Sequence, residues 1–175
     1  MENQKLSSKQ VMLNYGLMLG VASILIAVAN FAFGNVYKPH WSISVISGLA
    51  SVVVIVLGLK LIKDNNGGFL SLGEALKNGL GISLISGVVY VVYFYVFVNF
   101  IQADYFTNLA AFQEASMIEM YPNMSDEQLE NAIEMSKKFS GFGMISAIIM
   151  IMSLFFGFVI SMIAGLIMKK TQEEE

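Results

Sequence analysis

Four stretches of this chain are long and apolar enough to cross a lipid bilayer, and this limits the fold more than any other feature. A hydrocarbon core of about 30 Å is crossed by roughly 20 helical residues. The stretches run from Val11 to about Phe33, about Trp41 to Ile62, about Ala75 to Ile101, and about Phe142 to Met168. None alternates apolar and polar residues, so a β-barrel is a poor reading. Only 13% of the residues are charged, against about 25% in a soluble domain. These runs predict an all-α fold, a four-helix transmembrane bundle in a single membrane domain over 1–175. The lipid bilayer is then the first partner.

The first run has a rival reading. Lys5 and Lys9 precede it, and Ala27-Val28-Ala29 has the small-x-small form of a signal-peptidase site. A signal's apolar region is about 7 to 15 residues, and this one continues well beyond that, so a span is expected. Orientation follows lysine placement. Lys5, Lys9, Lys60, Lys63, Lys77, Lys169 and Lys170 fall on the side of the termini, and Lys38, Lys137 and Lys138 on the other. Both tails, 1–10 and 169–175, are therefore expected in the cytoplasm.

Residues 103–140 then lie outside and predict an αα-hairpin between spans three and four. Tyr121-Pro122-Asn123 is the natural turn. Ser125 and Gln128 fit a capping box, and Asp126, Glu127, Lys137 and Lys138 suit the helix dipole. Leu129, Ala132, Ile133, Ser136 and Phe139 share one stripe. Leu109, Phe112, Ser116 and Met120 make a matching stripe upstream. Nothing between Ala75 and Met120 obviously stops a helix, so the third span is open to running straight into the hairpin. The acids Glu127, Glu130 and Glu134 are the candidate partner surface. The plainer reading is a solvated face on two paired helices.

Each span carries small residues at spacings of three or four. They are Gly16, Gly20, Ser23 and Ala27; Gly48 and Ser51; Gly79, Ser83 and Gly87; and Ser153, Gly157 and Ser161. Small residues let helices approach closely in lipid, where apolar burial drives little association. Helix packing, within the chain or against a second copy, is therefore expected of them. The functional alternative is that the serines line a path for a neutral solute.

Ionisable residues at mid-membrane mark proton and ion pathways. None falls near the centre of a span here; Asn14, Asn30, Asn99 and Lys60 lie toward the ends. Glu74 and Lys77 are the one weak site candidate, but Ser71 and Glu74 also form a capping box, with Lys77 three residues on to pair with Glu74. Tyr90, Tyr93, Phe94, Phe97, Phe100 and Trp41 read as an interface belt with packing, rather than a ligand cage. There is no cysteine and one histidine, His40, so no metal cluster or thiol chemistry is expected. All ten basic residues are lysine and the net charge is −3, so nucleic acid is not an expected partner. No P-loop, dinucleotide fingerprint, G-x-S-x-G or H-E-x-x-H occurs. No catalytic residue and no cofactor is expected.

The layout as a whole resembles a known family. Four spans, the turn "KDNNGGFLSLGEALKNG", a tyrosine-rich third span and the insertion "MSDEQLENAIEMSKKF" are similar to the bacterial domain-of-unknown-function family numbered 4199. The resemblance implies an integral inner-membrane protein of a Gram-negative bacterium and carries no activity or substrate. The expectation is a non-catalytic membrane protein working through protein contacts, as an accessory subunit or small oligomer. The alternative is a small permease or channel for a neutral solute.

Overall fold

The computed structural model describes residues Leu6 to Lys170, so Lys5 and the last five residues lie outside the described residues. Among the described residues the chain forms six α-helices: α1 (Ser8–Phe33), α2 (Trp41–Asn65), α3 (Leu72–Val96), α4 (Tyr105–Met120), α5 (Asp126–Phe139) and α6 (Phe142–Met168). Four candidate spans have the length and hydropathy to cross a bilayer: α1, α2, α3 extended to Ile101, and α6. At most 28% of any span's most apolar window is buried within the protein. Such broad apolar exteriors fit lipid as the surrounding solvent. The protein is a multi-pass membrane protein built as a helical bundle.

The chain divides into two compact units: Met1–Tyr90 with Met150–Glu175, and Val91–Ile149. The first holds α1, α2, the start of α3 and the end of α6. Ser7 opens α1 with a capping box closed by Gln10, which carries the helix three residues ahead of the expected start. Glu74 accepts from both Ser71 N and Ser71 Oγ at 2.9 Å, the expected capping box, so α3 opens at Leu72, three residues ahead of the expected apolar span. Between α2 and α3, Gly67 and Gly68 adopt φ values of +71° and +92°. Gly68 N donates to the Lys63 carbonyl at 2.9 Å, closing the end of α2. Side chains other than glycine rarely adopt such φ values, so the turn depends on this pair.

The α2–α3 turn also gathers both ends of the described chain. Asn65 donates its amide to the Leu6 carbonyl at 3.0 Å. Lys63 Nζ donates to the Met168 carbonyl at 2.7 Å, capping α6. Leu70 and Lys170 exchange two backbone hydrogen bonds of 3.0 and 3.1 Å. The Lys170 ammonium lies 5.3 Å from the Phe69 ring centroid.

The second unit holds the end of α3, α4, α5 and the start of α6. Here α3 does not continue into α4. It passes into a π-helical turn, Phe97–Ile101, closed by Gln102 N donating to the Phe97 carbonyl at 2.8 Å. The chain then turns at Gln102. The aromatic contacts explain the break. Phe94 and Tyr105 have ring centroids 5.7 Å apart, whereas eleven residues of straight helix would separate them by about 16 Å. Phe94 also stacks on Phe142 at 5.8 Å. In α5, Ser125 and Gln128 form the capping box. Gln113 of α4 accepts from Ser136 Oγ at 2.6 Å and Ser140 Oγ at 3.1 Å, tying α4 to α5 and its C-cap.

Candidate functional site

The residues with the most constrained surroundings lie where α3 meets α6 within the first unit. A methyl group at Gly79 would sit 2.6 Å from Ser161 Cβ, and one at Gly157 would sit 2.5 Å from Ser83 Cβ. One step toward the helix ends, a methyl at Gly165 would lie 2.8 Å from Ala75 Cβ, and one at Gly87 would lie 3.2 Å from Ser153 Oγ. Four residues forward along α3 match four residues back along α6 throughout. The result is an antiparallel ladder of Ala75, Gly79, Ser83 and Gly87 against Gly165, Ser161, Gly157 and Ser153. The hydroxyls are turned inward. Ser153 Oγ donates to the Ser83 carbonyl at 2.8 Å, and Ser161 Oγ to the Gly157 carbonyl at 2.5 Å.

The other face of α3 receives α1 in parallel. A methyl at Gly16 would lie 2.6 Å from Ile85 Cβ, and one at Gly20 would lie 2.7 Å from Val89 Cγ1. Ser23 Oγ donates to the Leu19 carbonyl at 2.9 Å, and Ala27 is half-buried. In α2 the tight approach is at Gly58, where a methyl would lie 2.7 Å from Ile82 Cδ1.

Gly48 makes no close packing contact within the chain. It is exposed, and a methyl there would meet nothing within 4 Å. The buried residues of α2 are Val54, Ile55, Gly58, Leu59 and Ile62, all in its C-terminal half. The N-terminal half has no close neighbour at Gly48, and Ser51 Oγ bonds its own helix at the Ser47 carbonyl.

Glu74 is exposed and spends its carboxylate on the Ser71 cap. The expected Glu74–Lys77 pair does not form among the described residues, because the cap draws the carboxylate back toward Ser71, away from the following turn. Glu127, Glu130 and Glu134 stand exposed along α5. The aromatic belt divides: Phe94 and Phe97 are buried, while Phe100 and Trp41 are 75% and 70% exposed. Phe94 and Phe97 are in ring contact with Tyr105, an aromatic cluster that packs the end of α3 against the start of α4. Among the described residues, no three His, Asp or Glu side chains converge.

Sequence reasoning missed Asn78. It is 3% exposed inside the first unit, and its amide nitrogen donates to the Glu74 carbonyl at 2.7 Å. Its Oδ1, like the Ser83 hydroxyl, is buried without a hydrogen-bond partner among the described residues. The clasp of Lys63, Leu70 and Lys170 was missed as well, since no local pattern announces a contact across a hundred residues.

A family model described as Protein of unknown function (DUF4199) matches residues 14–170. The chain belongs to this family. The DUF4199 match runs from the first turns of α1 to Lys170, the residue bridged to Leu70. It therefore takes in the small-residue ladder, the α2–α3 turn and the α4–α5 pair. No curated protein and no solved structure matches the chain.

Proposed function

We propose that this DUF4199 protein is a non-catalytic inner-membrane protein of a bacterium, acting through protein–protein contacts as an accessory subunit or small oligomer. The observation that carries this reading is the antiparallel ladder. Gly79, Ser83, Gly157 and Ser161 approach so closely that a single methyl would collide with its neighbour. Of the serines that would line a solute path, Ser153 bonds across to α3 and Ser161 bonds its own helix, and Ser83 is packed beneath Gly157, which weighs against the permease reading.

Both termini are assigned to the cytoplasm. The lysine excess supports this, and the α2–α3 turn binds both Leu6 and Lys170. With four spans, α4 and α5 then face the opposite compartment as a hairpin. Glu127, Glu130 and Glu134 form the acidic row offered to a partner, and Glu74 serves as a helix cap rather than an acid catalyst.

A mild-detergent pull-down of the full chain from native membranes, after crosslinking, tests the proposal. A stoichiometric partner or a defined self-oligomer is expected, and charge reversal at Glu127, Glu130 and Glu134 should weaken it. A clean monomer that recovers no partner would contradict it.

A further inference from the structure

The lysines at the end of the first unit that carries Leu6 and Lys170 follow a pattern that helix packing does not use. Each span bears an exposed lysine on it or just past its end there, and Lys9, Lys60, Lys77 and Lys169 each continue an exposed apolar stripe of the adjoining helix. In α1, Lys9 stands one turn ahead of Leu13 and two ahead of Leu17, which are 49% and 43% exposed. In α2, exposed Lys60 closes a stripe running through Val53 and Leu57. In α3, exposed Lys77 lies on the face of Leu84 and Val88. After α6, exposed Lys169 follows Leu166, and its backbone N–H still donates to the Gly165 carbonyl at 2.8 Å.

A residue on an exposed apolar stripe of a membrane span faces lipid. A lysine at the end of such a stripe stretches its methylene stem along the apolar surface and delivers the ammonium to the headgroup level. Lys60 and Lys77 sit five residues, about 7 Å, inside their helix ends, whereas Lys9 and Lys169 stand within one residue of theirs; an extended lysine side chain covers that depth. Asp64 and Glu74 are the only described carboxylates on this end, and Glu74 is held by Ser71. None of the four lysines forms an ion pair with a described carboxylate. Lys63 and Lys170, by contrast, are engaged with the Met168 carbonyl and the Phe69 ring.

We propose that Lys9, Lys60, Lys77 and Lys169 form a collar that binds the phosphates of anionic phospholipids in the adjoining leaflet. The four belong to different spans, Lys9 to α1, Lys60 to α2, Lys77 to α3 and Lys169 to the end of α6, so each is offered to a headgroup of its own. The inference needs only that the four helices span a bilayer, and it stands apart from the proposed protein contacts.

The test reconstitutes the full chain in phosphatidylcholine vesicles and measures boundary-lipid association by electron spin resonance. The probes are spin-labelled phosphatidylglycerol and spin-labelled phosphatidylcholine. At low ionic strength the anionic probe should associate about threefold or more strongly, and about 1 M salt should erase the difference. Changing Lys9, Lys60, Lys77 and Lys169 together to Gln should bring the ratio to unity, while changing all four to Arg should preserve it. Changing Lys38, Lys137 and Lys138 to Gln should leave it intact. If the fourfold Gln variant does not fold, the pair Lys60→Gln with Lys169→Gln should lower the ratio measurably. Equal association of the two probes with the wild-type protein would overturn the proposal. So would a preference that survives the Gln substitutions, or one displaced by inorganic phosphate at about 10 mM, which would mark a site for a free anion.

Discussion

Ser153 on α6 donates its hydroxyl to the main-chain carbonyl of Ser83 on α3 at 2.8 Å, across an interface lined chiefly by glycine, alanine and serine. That bond is reachable only because Gly87 beside it and Gly157 one turn along α6 bring the two backbones together. In lipid, close backbone approach and packing replace the apolar burial that holds soluble bundles. The same residues therefore decide both how α3 and α6 associate and whether a polar path exists between them.

Gly79→Val and Gly157→Val should destabilise the folded protein by about 1–3 kcal/mol each, as overpacked cores do. Reversible unfolding in mixed micelles reads the change. Ser161 and Ser83 stand directly opposite, so the double variant Gly79→Val with Ser161→Gly should recover part of the loss.

Gly48→Ala should behave differently. Nothing lies within 4 Å of the added methyl, so stability should stay level or rise by up to about 1 kcal/mol through reduced backbone freedom. A loss as large as that at Gly79 would show that the N-terminal half of α2 has a tight neighbour in the membrane.

Ser153→Ala should cost about 0.6 kcal/mol, the average for a hydrogen bond between membrane helices. The same unfolding assay applies. A cost near zero would mean that the hydroxyl finds an equal partner in the unfolded chain.

Glu74→Gln should leave α3 capped, because glutamine closes the same box with Ser71. Glu74→Ala should raise amide exchange over the first turns of α3, at a cost of about 1 kcal/mol. An acid catalyst would show the opposite discrimination, with Gln as damaging as Ala to any cellular phenotype.

Ser125→Ala should loosen α5 by about 1 kcal/mol, visible as faster amide exchange over Asp126–Phe139. The first unit should not respond, since the cap bonds only Gln128.

The spans were legible because hydropathy and length are summed over many residues. Phe142–Met168 stands as α6 with the expected bounds. Capping boxes, which are local, place the starts of α3 and α5, and the same signal stands at Ser7 and Gln10 for α1. The break after α3 was not legible. Phe97–Ile101 contains no glycine or proline, and its π turn answers to aromatic contacts with Tyr105 that only the fold creates. Small residues announced that helices would approach but not which ones. Gly79 and Gly48 look alike in sequence, and one is packed against Ser161 while the other is open. Asn78 gave no pattern at all, because a single amide near a helix start is ordinary at a membrane surface.

The most direct test of the account is the side of the membrane on which two loops appear. The chain has no cysteine, so Glu130→Cys and Asn66→Cys are each the only thiol present. The account predicts that a membrane-impermeant maleimide applied to spheroplasts labels Glu130→Cys at once and Asn66→Cys only after permeabilisation. Labelling of both positions from the same side would contradict it.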